Sequence, residues 1–396
     1  MRTTIKIPGI LLILSLLVQC SEKIEDPYLL SLKEKGVDVK IIEEESIPTS
    51  QVYDVVETLS LGGEEVPTLY QPGSCLVDDQ GNMYFTDENR IKKFSPDGEF
   101  LRYIGDIGQG PGEVEYPNLE VIREGNLVVG QGISRGRRKY ELFNLNGDYT
   151  GRLYHPELKE KLIPEGRNLT ISYLGNDRFL IEASRRVPQE KLIILYEKKY
   201  AIADKEGNLL KELEFITEPY ASEVQSNDAR LSRPLTMSYP PSYFQNNLYI
   251  LNRNGKDICI FSNSGDLLKI TRINMPESKT TDEEKDAITK KYEGYGGEFS
   301  ELLKIIGIPD TKPGLCDILL DDNDQVWLQK GDTFRDYSYP GVDNEYTYVI
   351  LDNGGNCIGE QVLPVKVDIV KNEQAYGFMK NEEGFRVFKR YRLKTK

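Results

Sequence analysis

Short apolar runs alternate with turn-forming clusters along most of the chain. Residues 74–104 show the unit most clearly. Cys75-Leu76-Val77-Asp78 is a β-rich run, and Asp79-Gln80-Gly81-Asn82 is a turn signal. Met83 to Thr86 reads as a second strand, and Asp87-Glu88-Asn89 reverses the chain. Arg90 to Phe94 is a third strand with alternating faces. Ser95-Pro96-Asp97-Gly98 turns again before a fourth strand, Glu99 to Ile104. Four antiparallel strands joined by tight turns make one blade of a β-propeller.

The unit recurs with drift, and such repeats are sought before a fold is named. Residues 119–153, 170–215, 235–273 and 315–363 each carry strand–turn–strand signals. Their turns are Asn144 to Asp148, Asp204 to Asn208, Ser262 to Asp266 and Asp352 to Asn356. Residues 366–393 supply only three strands, and Val52 to Leu61 is an orphan strand ahead of the first blade. Joining the two completes a ring and removes exposed sheet edges. One segment breaks the pattern. Thr281 and Glu284 form a capping box, and Phe299, Leu302, Leu303 and Ile306 recur at helical spacing. The expectation is an all-β, six-bladed β-propeller over residues 51–396. An N-terminal strand closes its last blade, and residues 277–306 form a small two-helix insertion between blades four and five.

The first residues are patterned differently. Arg2 and Lys6 precede an apolar stretch, Ile7 to Val18, which is too short for a comfortable membrane span and fits a signal-peptide core. Leu17-Val18-Gln19-Cys20 resembles a bacterial lipobox, with Gln in place of the commoner small residue before the Cys. The likeness implies removal of residues 1–19, lipidation of Cys20, and a cell-envelope address on the periplasmic side or the cell surface. Residues 20–50 are charged and weakly patterned, and read as the lipidated Cys and a tether. Glu22, Glu25 and Asp26 resemble the acidic export signals of Bacteroides-type lipoproteins.

Composition narrows the chemistry. The chain of 396 residues has 64 Asp+Glu against 50 Lys+Arg and a formal net charge of -14. That balance argues against a nucleic-acid partner, which needs clustered positive charge. A single histidine, His155, excludes His-rich zinc sites and most His-based relays. It is expected to be an exposed loop residue. Cys75, Cys259, Cys316 and Cys357 are irregularly spaced, without a CxxC, and read best as buried thiols.

The phrase Asp79 to Asp87, then Arg90 to Gly98, resembles an NHL repeat, and Gly105, Gly108 to Glu113 and Tyr116-Pro117 strengthen the likeness. With the leader, the chain is similar to six-bladed propeller lipoproteins of Bacteroides-type bacteria. NHL-type propellers include binding scaffolds and some enzymes, so the resemblance implies fold more than function. Gln109, Gly110, Pro111, Gly112 and Glu113 join blade one to blade two near the channel mouth. They are candidate ligand contacts, beside the simpler reading that the glycines and proline serve the turn. Asp78-Asp79 and Asp321-Asp322 sit at matching points of two blades, where carboxylates cap turns or, converging with others, hold calcium. Ser134 to Lys139 is a basic run suited to an acidic partner or a polysaccharide, or a solvated loop. Tyr239 to Phe244 and Tyr337 to Pro340 are tyrosine-rich clusters suited to protein or sugar contacts. The functional expectation is a lipid-anchored binding or scaffold module for a protein or glycan. The alternative is a channel-centred, metal-dependent hydrolase or lyase of the lactonase-like type. No cofactor is predicted, with calcium kept open, and neither catalytic nor metal-binding residues are assigned.

Overall fold

The computed structural model describes residues 26–62, 69–70, 72–131, 139–163, 168–188, 193–213, 220–225, 230–232, 242–244, 246–252, 255–331, 345–381 and 383–396. The chain opens with helix α1 (Pro27–Glu34), strand β1 (Asp38–Glu43), a 3-10 turn (Glu44–Ser46) and strand β2 (Tyr53–Leu61). Blade one is β3 (Cys75–Val77), β4 (Met83–Asp87), β5 (Arg90–Phe94) and β6 (Phe100–Ile104). A short parallel pair, β7 (Asp106–Ile107) and β8 (Glu113–Val114), leads to blade two. That blade is β9 (Pro117–Arg123), β10 (Asn126–Gln131), β11 (Lys139–Asn144) and β12 (Tyr149–Tyr154). Blade three is β13 (Asn168–Gly175), β14 (Arg178–Pro188), β15 (Ile193–Asp204) and β16 (Leu209–Glu212). The early half of β15 also pairs β17 (Tyr220–Gln225), which pairs β18 (Arg230–Ser232). Blade four is β19 (Ser242–Phe244), β20 (Asn247–Leu251), β21 (Asp257–Ser262) and β22 (Leu267–Asn274). Strand β23 (Ser278–Lys279), helices α2 (Asp282–Gly294) and α3 (Gly297–Ile306), and strand β24 (Thr311–Lys312) form the insertion. Blade five is β25 (Leu315–Leu320), β26 (Val326–Lys330), β27 (Tyr346–Leu351) and β28 (Cys357–Leu363). Blade six is β29 (Lys366–Lys371), β30 (Gln374–Lys380) and β31 (Arg386–Thr395), closed by β2.

This is the expected six-bladed β-propeller, with Tyr53 to Leu61 registered against Thr395 to Phe388. Each blade buries its faces only against its neighbours, so the core divides into inter-blade layers. One layer holds Tyr84, Ile91 and Ile104 of blade one against Leu127, Val129 and Phe143 of blade two. Another places Phe85 and Phe94 against Phe378 and Phe388 of blade six, with Phe85 and Phe388 edge to face at 4.8 Å. Comparable layers join every other adjacent pair around the ring. The first strands β19, β25, β29, β3 and β9 neighbour one another in turn, which places them around the central axis.

The two faces are built differently. Where a first strand passes to a second, or a third to a fourth, connections are short. All five third-to-fourth turns use one device. Ser95, Asn144, Asp204, Ser262 and Asp352 each accept a side-chain bond from the backbone N–H four residues on. A glycine with φ between 71° and 92° follows each at the third position. Gly207 shows why: a Cβ there would lie 1.9 Å from the Glu157 carbonyl oxygen. Asp78 caps the first turn of blade one. Wholly buried, it accepts from the Gln80 and Asn82 N–H groups, the Asn82 amide and the Tyr84 hydroxyl, all at 2.8–3.0 Å. Asp321 repeats this in blade five, accepting from the Asn323 and Gln325 N–H groups and the Trp327 indole. The matched aspartates are therefore turn caps.

Two findings differ from expectation. Residues 26–50 do not hang free as a tether. Helix α1 buries Leu29 and Leu32 against blades three and four, and β1 adds to blade four as a fifth strand, parallel to β22. Asp26 caps α1 and pairs with Arg272, which also grips Asp257 at 2.6 and 2.8 Å. Val39, Ile41 and Ile42 pack inward along β1, a short pattern that the surrounding charge obscured. His155 is buried rather than exposed, its ring centroid 4.6 Å from that of Tyr140. The tyrosine turns a loop residue into core. Blade three carries added chain in its middle, the long β14–β15 hairpin with β17 and β18, and α3 lies beside those two strands. The capping box at Thr281 and Glu284 is present, and Ile288, Leu302, Leu303 and Ile306 form the insertion's own small core. Cys75, Cys259 and Cys357 are free thiols, and the Cys316 thiol donates to the Lys330 carbonyl at 3.5 Å. No helix among the described residues is long and apolar enough to cross a membrane.

Candidate functional site on the loop-bearing face

The long connections lie on the face where the first strands begin. Residues 105–116 leave the outer strand of blade one and cross the top of blade two from outside inward. Arg152 on β12 donates to the Gly110 carbonyl at 2.9 Å, and Lys139 on β11 donates to the Gln109 carbonyl at 3.0 Å. Gln131 on β10 donates to the Glu113 carbonyl, after which the chain enters β9. The loop also braces itself, because the Glu113 carboxylate accepts from the Gly110 N–H at 2.7 Å. A Cβ at Gly108, where φ is 152°, would lie 2.2 Å from that carboxylate, so glycine lets the Glu113 side chain fold back over the loop. Beneath the loop, fully buried Glu141 pairs with Lys139 at 3.0 Å and accepts from Arg152 at 2.7 Å. Among the described residues, its second oxygen is buried without a hydrogen-bond partner.

The candidate residues Gln109 to Glu113 are thus brought together, but most of their polar groups hold the loop in place. The Gln109 side chain donates to Glu115 at 2.6 Å. The loop offers to solvent Asp106, Gln109 and Pro111 and two large apolar side chains, Ile107, 54% exposed, and Tyr116, 64% exposed. Tyr116 has φ 50° and precedes Pro117, a conformation that a bulky residue before proline disfavours. Tyr149 and Tyr154 are exposed on the adjoining outer strand of blade two. Lys139 is the one described member of the basic run. Cys20, Ser134 to Arg138, Tyr239 to Pro241 and Tyr337 to Pro340 lie outside the described residues.

A second group, missed in the sequence, lines the channel. Lys366 and Asp368 sit on β29, Asp317 on β25 and Cys75 on β3, all first strands. Lys366 pairs with Asp317 at 2.9 Å. Asp368 is the extra residue of a β-bulge: Val367 faces Gly377 and Ile369 faces Tyr376. A bulge re-aims its side chain, and this one needs Gly377, where a Cβ would lie 2.0 Å from the Lys366 carbonyl oxygen. Asp368 is exposed, yet desolvation by the surrounding walls pushes its carboxyl up to about 6. Lys366 and Arg386 oppose that rise and Asp317 adds to it. Water access combined with desolvation is the signature of a narrow channel. Burial also pushes the Cys75 thiol well above its ordinary value, which keeps it protonated and unreactive. Arg386 stands at the mouth, stacked 3.9 Å from the Phe378 ring centroid and donating to the Pro72 carbonyl at 2.9 Å. The available signal was two charges in an otherwise apolar inner strand, Lys366-Val367-Asp368-Ile369-Val370. Among the described residues, no group of three or more His, Cys, Asp or Glu is placed to hold a metal ion.

No protein-family model and no curated protein matches the chain. Solved structures do. A member of the DUF4221 family from Bacteroides vulgatus superposes with TM-score 0.50 at 15% identity, covering 88% of this chain and all of its own (100%). A protein of Bacteroides fragilis classed as exported gives TM-score 0.49 at 10% identity, over 90% of this chain and 100% of its own. The likeness is one of fold. A gluconolactonase of Xanthomonas campestris reaches only 0.33 at 14% identity, over 87% of this chain and 88% of its own, too low to bear on chemistry.

Proposed function

We propose that the chain is a lipid-anchored, extracytoplasmic binding or scaffold module, with Cys20 as the lipidated residue. Its protein or glycan partner is held on the face that carries the Gly108–Glu113 loop. The observation that carries this reading is Tyr116: an exposed aromatic in a disfavoured backbone conformation, on a loop pinned strand by strand to blade two. Local strain of this kind collects at binding sites, and exposed tyrosine suits both protein and sugar contacts. The leader, and fold neighbours that include a protein classed as exported, support the address. The hydrolase alternative has a weaker donor set, since the inner-strand carboxylates Asp317 and Asp368 are accompanied by Lys366 and Arg386. Cationic neighbours oppose a divalent ion.

The test is a photo-crosslinking amino acid placed singly at four positions in cells. Substitution at Ile107 or Tyr116 is expected to give discrete partner adducts. Substitution at Asp79 or Asp97, on the short-turn face, is expected to give none. Adducts of equal yield from both faces would defeat the reading.

A further inference from the structure

Asp368 has features that a structural role does not explain. Buried or desolvated carboxylates are ordinarily hydrogen-bonded or paired. Asp78, Asp87, Asp257 and Asp321 follow that rule with named donors. Asp368 has no hydrogen bond or ion pair among the described residues, although a β-bulge and the requirement for Gly377 aim it at one place. The groups near enough to act on its charge, or to feel it, are Lys366 on its own β29, Asp317 on β25, Arg386 on β31 and Cys75 on β3. Arg386 is exposed at the mouth and held flat by Phe378, with one of its N–H groups directed to Pro72.

Charge selects the ligand class. Asp317 and Asp368 balance Lys366 and Arg386, so the cluster is formally neutral. A cation would meet the two basic groups, and an anion would meet the two carboxylates. A ligand with hydroxyls, able to donate to a carboxylate and accept from a guanidinium at once, satisfies both. We propose that this end of the channel, between blades five, six and one, binds a neutral hydroxyl-rich ligand, a monosaccharide or the terminal residue of a glycan. Asp368 accepts its hydroxyl protons and Arg386 donates to its oxygens. This site is separate from the loop over blade two and stands whether or not that rim docks a partner.

Isothermal titration of the chain with D-glucose, D-galactose and D-mannose tests it. At neutral pH at least one of the three is expected to bind saturably. Asp368→Asn, which removes a charged acceptor, is expected to weaken that sugar about tenfold or more. Lowering the pH to about 5, which protonates most of a carboxyl titrating near 6, is expected to weaken wild type in the same direction and leave Asp368→Asn unchanged. Thermal unfolding of the variant checks that it remains folded. Binding of none of the three sugars overturns the proposal, as does undiminished binding by folded Asp368→Asn. Loss on Tyr116→Ala with Asp368→Asn unaffected also overturns it, by moving the site to the rim.

Discussion

On one face of the ring the connections within blades run from two to five residues. On the other they run from two residues to forty, and include the helical insertion and the 105–116 loop. The short face repeats a few solutions. Side-chain caps answer the backbone N–H groups, glycines take positive φ, and paired left-handed residues such as Asn176-Asp177 and Asn372-Glu373 make tight hairpins. The long face uses the same devices in its shortest turns, Glu88-Asn89, Asn252 to Gly255 and Asn381 to Gly384, but repeats nothing in its long connections. Its elements are fixed by contacts particular to each: Arg152 to Gly110, α3 beside β17 and β18, Tyr70 N–H to Asp87 at 2.9 Å. The difference separates two tasks. The short face reverses strands so that blades can form, and its polar groups are satisfied locally. The long face reverses strands too, but its connections between blades are released from that task, and there a strained tyrosine and a channel mouth are exposed.

Three measurements sharpen or break this contrast. The largest effect is expected on the short face. Asp78→Ala leaves a part-buried amide and two backbone N–H groups short of an acceptor, while the Tyr84 hydroxyl keeps the Leu145 carbonyl, and should lower stability by about 3 kcal/mol. Glu113→Ala on the long face loses one part-buried bond and should cost about 1 kcal/mol. Denaturant midpoints compare the two, and equal losses would show that the loop over blade two is as integral to folding as a blade turn. Next, Tyr116→Gly should raise stability by about 1 kcal/mol, because glycine adopts φ 50° without the steric penalty. A loss instead would show that the tyrosine ring packs usefully in the free protein, and would remove the argument from strain.

The smallest effect concerns Asp368. Its carboxyl titrates near 6 in the folded chain against an ordinary value of 3.8, so between those values the native state binds more protons than the unfolded one. Stability from this group therefore rises as pH falls through that window, and the charged form above about pH 6 is destabilising. Asp368→Asn should melt at a higher temperature than wild type near pH 7.5, with the gap closing by about pH 4. A variant that melts lower at neutral pH would show that Lys366 and Arg386 more than offset the desolvation.

Much of the fold was legible because propeller blades are local. A strand, its turn and its hairpin partner lie within a few residues, and turn chemistry at Ser95 to Gly98 or Asp352 to Gly355 repeats wherever the geometry repeats. The capping box of α2 and the split sixth blade were readable on the same grounds. Segment 26–50 was not, because β1 pairs with a strand more than two hundred residues away and its charged flanks mask a short apolar stripe. The site followed the same division. The loop at Gln109 to Glu113 stood out through its glycines, but its hydrogen bonds to β10, β11 and β12 fixed which atoms remained available.

What the sequence determined by itself was the repeat, the ring, the point of closure and the place of the helical insertion: the repeat and the insertion rest on contacts between chain neighbours, and the closure, which pairs Tyr53 with Thr395, follows from matching one orphan strand to a three-stranded blade. Only the tertiary structure decided that Asp317, Lys366, Asp368, Arg386 and Cys75 share one channel and that α1 and β1 clasp blade four. The physical reason is that inner strands meet across the axis through closure of the whole ring, and no local pattern of residues records which side chains that closure brings face to face.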